Sequence, residues 1–180
     1  MVPDVQQLMI EIKTEFPSFV VRRKDASVLM RAIDVFLKMV TFGRMTAFLT
    51  GFITTINNTV WVPSDWDRYD PRNQCEVLRH ERVHMRQARA LSFPLFALLY
   101  LFVFLPAGLA WFRAKFEMEA YEETIQARVD YGGADFVQSE LTKEAMISLF
   151  MSSQYVWMWP FPKFLSRWYD QAVKKALNNQ

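Results

Sequence analysis

Two histidines and a glutamate stand close together in the chain and could bind and use a metal ion. Residues 80–84 are His-Glu-Arg-Val-His, and His80 and His84 are the only histidines among the 180 residues. Residues four apart lie on one face of an α-helix. Two imidazoles on one face can bind a single tetrahedral Zn²⁺, and the intervening Glu81 can accept a proton from a water molecule that the zinc activates. The spacing therefore predicts zinc ligands at His80 and His84 and a general base at Glu81.

A catalytic zinc site needs a third protein ligand, and the composition limits which residue can supply it. No histidine remains and the chain has a single cysteine, Cys75, so we expect a carboxylate. The acidic stretch that follows a long apolar segment offers four candidates: Glu117, Glu119, Glu122 and Glu123. At steps of four and three, Glu117 shares a helix face with Tyr121 and Thr124. Periodicity alone does not choose among the four.

The zinc motif and the acidic stretch together resemble a known family. An H-E-x-x-H motif followed on a later helix by E-x-x-A is the pattern of gluzincin metallopeptidases, especially the CAAX-prenyl-peptidase kind and their soluble relatives. Residues 117–120, Glu-Met-Glu-Ala, match that pattern, so the resemblance implies that Glu117 is the third zinc ligand. The family often has Asp after the Ala, where this chain has Tyr121.

The chain is also similar to small zincin-like proteins encoded by bacteriophages and bacteria. That resemblance covers about residues 50–125 and is specific only at the zinc motifs. Two roles near the zinc are left open. Tyr121 or another tyrosine could stabilise an oxyanion, and Gln87, one turn beyond His84, is either a hydrogen-bond partner of the site or surface.

The pattern along the chain predicts a mainly α-helical protein with a small β element, that is, a zincin-like α+β fold. An active-site helix is expected over about 74–91 and a second ligand-bearing helix over about 109–129, with further helices at 26–46, 136–152 and 163–177. Residues 53–62 favour strand, either as a hairpin turning at Asn57-Asn58 or as one strand that could pair with a peptide. We expect one domain over 1–180, with an N-terminal segment (1–25) and an aromatic-rich helical appendage (134–180).

The stretch between Arg89 and Arg113 has no charged residue and could enter a membrane. Pro94, Pro106 and Gly108 interrupt it. One crossing of the bilayer would separate His84 from Glu117 by about 30 Å, which a shared zinc ion forbids. Residues 90–112 are therefore expected to form a hairpin with a turn at 105–108, either buried in the protein or dipping into a membrane.

The charge balance and the start of the chain bear on partners and location. The formal net charge is +2, from 21 basic and 19 acidic residues, so no nucleic-acid partner is expected. No basic and apolar pattern typical of a secretory signal opens the sequence, which favours a cytoplasmic or virion-associated protein, with peripheral membrane contact through 90–112 as an alternative. The aromatic residues of the C-terminal region, among them Trp157, Trp159 and Trp168, could form a surface for a protein partner.

Two functions follow from these patterns. The first is a zinc-dependent metallopeptidase that hydrolyses peptide bonds in a peptide or protein substrate, with His80, His84 and Glu117 as ligands and Glu81 as general base. The second is a structural or assembly protein, for example of a phage particle, that retains a zincin fold and its zinc site. The substrate and the direction of cleavage have no signal in the sequence.

Overall fold

The computed structural model of the protein describes residues 3–40, 42–43, 46–101, 110–151 and 158–179. These residues form eight α-helices and one three-stranded sheet, which confirms the prediction of a mainly helical protein with a small β element. The chain divides into two compact units, Asp4–Gln74 and Cys75–Gln180, the second of which also includes Met1–Pro3. The prediction of one domain over 1–180, with 1–25 and 134–180 as attached segments, stays a prediction.

The first unit contains two helices and the sheet. Helix α1 spans Val5–Glu15 and helix α2 spans Val28–Val40. The strands are β1 (Val20–Arg23), β2 (Thr54–Ile56) and β3 (Thr59–Val62), and a short 3-10 turn covers Trp66–Arg68. Asp4 begins α1, since its carboxylate accepts hydrogen bonds from the backbone N–H groups of Gln6 and Gln7.

The sheet has the strand order β1-β3-β2. Strands β2 and β3 are antiparallel and turn at Asn57-Asn58, where Asn57 has a positive φ of 54°. The predicted hairpin is therefore confirmed, and the alternative of one continuous strand is wrong. Strand β1 pairs with β3 in parallel, with Val20 opposite Thr59. Because β3 has a neighbour on each side, it has no open edge for a peptide.

The second unit is entirely helical in its described part. Helix α3 (Pro71–Leu91) begins in the first unit and continues into the second. It is followed by α4 (Phe93–Leu101), α5 (Trp111–Gly132), α6 (Ala134–Gln138), α7 (Glu140–Met151) and α8 (Pro162–Asn178). The predicted positions of the active-site helix and of the second ligand-bearing helix agree with α3 and α5.

Helix α5 packs against α4, α6 and α8. Its buried residues Ile125 and Val129 share an apolar core with Val137 of α6, Met146 of α7 and Tyr169 of α8. The hydroxyl of Tyr169 donates a hydrogen bond of 2.7 Å to the backbone oxygen of Val137. A separate cluster of Ala88, Phe96 and Phe116 joins α3, α4 and α5. Helix α5 is thus held in place on several sides.

Helices α3 and α5 are antiparallel, as the order of their side-chain contacts shows. Early contacts of α3 are made with late positions of α5, and late contacts of α3 with early positions of α5. The contacts are Glu76 with Arg128 (2.9 Å), Arg79 with Glu123 (2.6 Å), and Gln87 with the backbone oxygen of Phe116 (3.1 Å). This arrangement brings the middle of α3 opposite the middle of α5.

Two helix ends test the sequence patterns. Helix α5 ends at two glycines, three residues beyond the predicted end near 129, and Gly133 has a φ of +90° and an N–H that donates to the backbone oxygen of Val129. The single helix predicted over 136–152 is wrong, because it is broken at Ser139. That residue has an extended backbone, and its hydroxyl accepts a hydrogen bond from the N–H of Thr142, so it begins a new helix.

The uncharged stretch 90–112 is only partly described. Ser92, with a φ of 67°, separates α3 from α4, so the break precedes Pro94 instead of falling on it. The predicted turn at 105–108 lies outside the described residues. In the part of the chain that the structure describes, no helix combines the length and the apolar character needed to cross a membrane.

Candidate metal centre

Three predicted ligands lie together between α3 and α5. The Nε2 atoms of His80 and His84 are 3.2 Å apart. The carboxylate of Glu117 lies 3.5 Å from Nε2 of His80 and 3.6 Å from Nε2 of His84. Ligand atoms about 2.0–2.2 Å from one tetrahedral ion stand roughly 3.3–3.6 Å from one another. The three side chains could therefore hold one metal ion between them.

The tautomer of His84 follows from its hydrogen bonds. Its Nδ1 is 2.9 Å from Oε1 of Gln87. The amide nitrogen of Gln87 donates to the backbone oxygen of Phe116 at 3.1 Å and to the carboxylate of Glu119 at 2.9 Å. Both of these atoms can only accept, so the other end of the amide, Oε1, must be an acceptor for His84. Nδ1 of His84 therefore carries the proton, and Nε2 presents a lone pair in the neutral ring.

His80 is held in the same way by α5. Its Nδ1 is 3.1 Å from the hydroxyl of Thr124, and that hydroxyl donates to the backbone oxygen of Ala120. The hydroxyl is thus an acceptor for Nδ1 of His80. The ring of Tyr121 packs edge-on against His80, with centroids 4.7 Å apart. Thr124 makes the contact expected of a residue that orients a metal-binding imidazole.

The resulting arrangement is unfavourable without a cation. When both rings are neutral and protonated at Nδ1, two Nε2 lone pairs lie 3.2 Å apart, and a carboxylate lies beside both. Like partial charges this close repel, and a proton or a metal ion between them removes the repulsion. The site also has little contact with solvent, since the side chains of His80, His84 and Glu117 are 14%, 9% and 4% exposed. These residues fit a bound divalent ion on the chemistry of their donor atoms.

The ionisation of the ligands points the same way. Burial alone would raise the pKa of Glu117, but the charge of His84 and the hydrogen bond with His80 lower it to about 2. Burial would lower the pKa of His80, but the hydrogen bond and charge of Glu117 outweigh it, and the pKa is raised. In the metal-free protein the site therefore holds a negative carboxylate that favours a proton on His80.

A tyrosine that the sequence analysis did not single out lies at this centre. The hydroxyl of Tyr100, on α4, donates a hydrogen bond to Oε1 of Glu117. Burial and then the charge of Glu117 raise the pKa of Tyr100 well above its ordinary value, so the hydroxyl keeps its proton at neutral pH. One signal was available in the sequence: Tyr100 is the only side chain of α4 that can donate a hydrogen bond.

Glu81 lies beside the cluster without being one of its ligands. It follows His80 on α3 and is 8% exposed. Its charge adds to that of Glu117 in raising the pKa of both His80 and Tyr100. Its carboxylate is therefore close enough to act electrostatically on the site. Among the described residues, Glu81 does not belong to the group that could hold a metal ion.

The other three candidate carboxylates of α5 have different partners. Glu119 contacts Gln87, Glu122 pairs with Lys175 at 2.9 Å, and Glu123 pairs with Arg79 at 2.6 Å. Of the four glutamates left open by periodicity, the structure places only Glu117 with the two histidines. Arg79 also pairs with Asp130 at 2.6 Å, so its guanidinium lies in a contact between helices.

Comparison with known proteins adds no family. No family model matches the chain, and no significant match was found among curated proteins or among solved structures.

Proposed function

We propose that the protein is a zinc-dependent metallopeptidase with a gluzincin-like site and a zincin-like fold. The observation that carries the proposal is the geometry of His80, His84 and Glu117. Their ligand atoms lie within 4.8 Å of one another, and both Nδ1 atoms are held by acceptors. Two imidazoles and a carboxylate are the protein ligands of catalytic zinc in peptidases that use H-E-x-x-H.

The remaining residues of the site have roles that suit hydrolysis of a peptide bond. A bound zinc ion would polarise the substrate carbonyl and make a water molecule more acidic. Glu81 accepts the proton of the attacking water and delivers it to the leaving amine. The hydroxyl of Tyr100, which keeps its proton, donates a hydrogen bond to Glu117 and so orients the carboxylate that would bind the zinc.

One observation favours a second function. The three ligands are almost completely buried, at 14%, 9% and 4% exposure, and a buried metal ion can serve stability alone. The protein would then be a structural or assembly component, for example of a phage particle, that keeps the zinc site without using it for cleavage. The two functions share the ligands and differ in the role of Glu81.

Metal content and hydrolysis together test the proposal. We expect about one zinc per chain in protein purified without added metal, measured by mass spectrometry. Glu117→Ala should lose or loosen it. Glu122→Ala is the matched control, because Glu122 lies on the same helix and pairs with Lys175 outside the site. No zinc in the folded parent would overturn both functions.

Glu81→Gln separates catalysis from stability. The variant should bind zinc like the parent and hydrolyse a mixture of peptides on the order of 10²–10⁴-fold more slowly. Equal hydrolysis by the two proteins would contradict the peptidase mechanism. If the parent binds zinc, cleaves no peptide in the mixture and copurifies with other chains in fixed stoichiometry, the assembly function is the correct one.

A further inference from the structure

Four aromatic side chains form a half-exposed surface at the beginnings of α5 and α8. They are called the aromatic surface here: Trp111, Phe112, Phe161 and Phe164, which are 40%, 41%, 45% and 41% exposed. The ring of Trp111 lies 6.2 Å from that of Phe164, and Trp159 contacts both Trp111 and Phe161, at 4.8 and 4.9 Å. Single exposed apolar side chains are ordinary, but a contiguous aromatic group usually marks a binding surface.

Helix α4 adds apolar side chains in the same unit. Phe96 is buried against Phe116 of α5, with ring centroids 5.1 Å apart, while Leu95 and Leu98 are 43% and 51% exposed. The helix therefore has apolar residues on its exposed face as well as on its buried face. These two leucines add exposed apolar area in the same unit.

The charged residues of the segments that carry these side chains all have one sign. The segments 93–101, 110–116 and 158–169, which carry the aromatic surface and α4, contain no Asp and no Glu. Their charged residues are Arg113, Lys115, Lys163 and Arg167. Lys115, Lys163 and Arg167 are exposed. Glu140 and Glu144 of α7 line one pocket with Lys163 and Arg167. An apolar and aromatic surface whose own helices carry exposed cations is complementary to an apolar layer with anionic groups at its boundary.

We propose that the aromatic surface binds an anionic lipid bilayer from one side, as a peripheral contact. The aromatic rings would lie at the level of the lipid headgroups, and the lysines and arginines would reach the lipid phosphates. A second copy of the chain fits less well, because it would bring the same cations against each other. A protein partner would have to place acidic groups opposite these cations. The inference does not depend on the zinc site.

Sedimentation of the full-length protein with lipid vesicles tests the inference. We expect binding to vesicles of phosphatidylcholine with phosphatidylglycerol, weaker binding to phosphatidylcholine alone, and loss of binding as salt is added. Phe112→Ser/Phe161→Ser should lower the partition coefficient on anionic vesicles at least about tenfold. Lys115→Glu/Lys163→Glu, which changes exposed side chains only, should lower it by a similar factor.

Two matched controls distinguish binding through the aromatic surface from non-specific adsorption to vesicles. Leu141→Ser changes an apolar residue of α7 that is 80% exposed, and Lys174→Glu changes an exposed lysine of α8 outside the surface. Both should bind vesicles like the parent. The inference is overturned if the parent binds neither vesicle, if it binds both equally, or if the surface variants bind like the controls. A dimer in analytical ultracentrifugation that only Phe112→Ser/Phe161→Ser abolishes, without vesicle binding, assigns the surface to a second copy instead.

Discussion

The side chain of Gln87 connects a candidate zinc ligand to a carboxylate on another helix. Oε1 accepts from His84 and Nε2 donates to Glu119 and to the backbone oxygen of Phe116. The side-chain amide can rotate by 180° and exchange its oxygen and nitrogen positions. The acceptors on Glu119 and Phe116 favour the orientation in which Nε2 faces them. Glu119 is exposed and is not a ligand, yet it helps to decide which nitrogen of His84 presents a lone pair.

An exchange of the amide at position 87 and the carboxylate at position 119 should show whether Gln87 orients His84. Gln87→Glu removes the N–H donors and places a carboxylate next to Glu119, so we expect zinc affinity to fall about 10–100-fold. The reciprocal double variant, Gln87→Glu/Glu119→Gln, should recover most of it, because the amide at 119 can then donate to the carboxylate at 87. Competition with a chelating dye at fixed pH measures the affinity.

The control for that experiment is Glu122→Gln, which changes a glutamate of the same helix that pairs with Lys175. It should leave the zinc affinity unchanged. A double variant that binds zinc no better than Gln87→Glu alone would show that the connection does not orient the imidazole.

The residues of the site could be predicted from sequence to different degrees. The H-E-x-x-H spacing locates His80 and His84 because four positions bring two side chains to one helix face. It leaves the third ligand open, since periodicity says which face of α5 a glutamate occupies but not what lies opposite. Glu123 meets Arg79 and Glu122 meets Lys175, and neither partner is visible in the local pattern. Tyr100 lies within an apolar stretch and shows its role only in three dimensions.

Helices α3 and α5 are joined by charged pairs as well as by the candidate ligands. Arg79 contacts Glu123 and Asp130, each at 2.6 Å. Its guanidinium carbon also lies 5.6 Å from the centre of the Tyr131 ring. The next residue of α3 is His80, and the residue after Glu123 is Thr124, which holds His80. The ion pair thus lies one position from the contact that orients a ligand.

Removal of Arg79 should therefore destabilise the protein more than removal of an exposed cation. Its side chain is 16% exposed, and Arg79→Gln leaves two carboxylates, 33% and 36% exposed, without their partner. We expect a loss of about 1–3 kcal/mol in the free energy of unfolding, less than for a fully buried pair because solvent screens the carboxylates. Urea denaturation measures it.

The comparison variant is Lys175→Gln, which breaks the pair with Glu122 where the lysine is 68% exposed. Its cost should be about 0–0.5 kcal/mol. Equal losses in the two variants would mean that the Arg79 pairs add nothing beyond an ordinary surface contact.

Secondary-structure features that depend on neighbouring residues could be predicted from the sequence better than the pairing of distant strands. The hairpin of β2 and β3 is confirmed because turn residues act within a few positions. The break between α6 and α7 was missed because Ser139 can equally lie within a helix or begin one. The parallel pairing of β1 with β3 has no local signature, since the two strands are far apart in sequence.

For the whole molecule, all three candidate ligands belong to one of the two compact units, Cys75–Gln180. A ligand that binds only the folded state stabilises it by mass action, by about 4 kcal/mol at a thousand times its Kd. Zinc should therefore slow amide hydrogen exchange in α3 beyond Cys75, in α5 and in α8, and have less effect in Asp4–Gln74. Exchange measured by mass spectrometry with and without zinc checks this, and equal protection in both units would show that they unfold together.

The division into units could not be predicted from composition. The boundary between Gln74 and Cys75 falls inside α3, and neither glycine nor proline marks it. Boundaries are normally recognised by such linker residues. The sequence therefore looks continuous at the point where the internal contacts of the folded chain divide.

The sheet combines two pairings that differ greatly in the length of chain between partners. Ile56 and Thr59 are opposite each other across the two-residue turn, whereas Val20 and Thr59 are separated by 39 positions (59 − 20). On loop length alone, closing the longer loop costs about 2 kcal/mol more in chain entropy. The hairpin can therefore form early from local contacts, and β1 joins it only when the intervening chain has been ordered. The parallel edge strand is the part of the sheet that assembles last and detaches first.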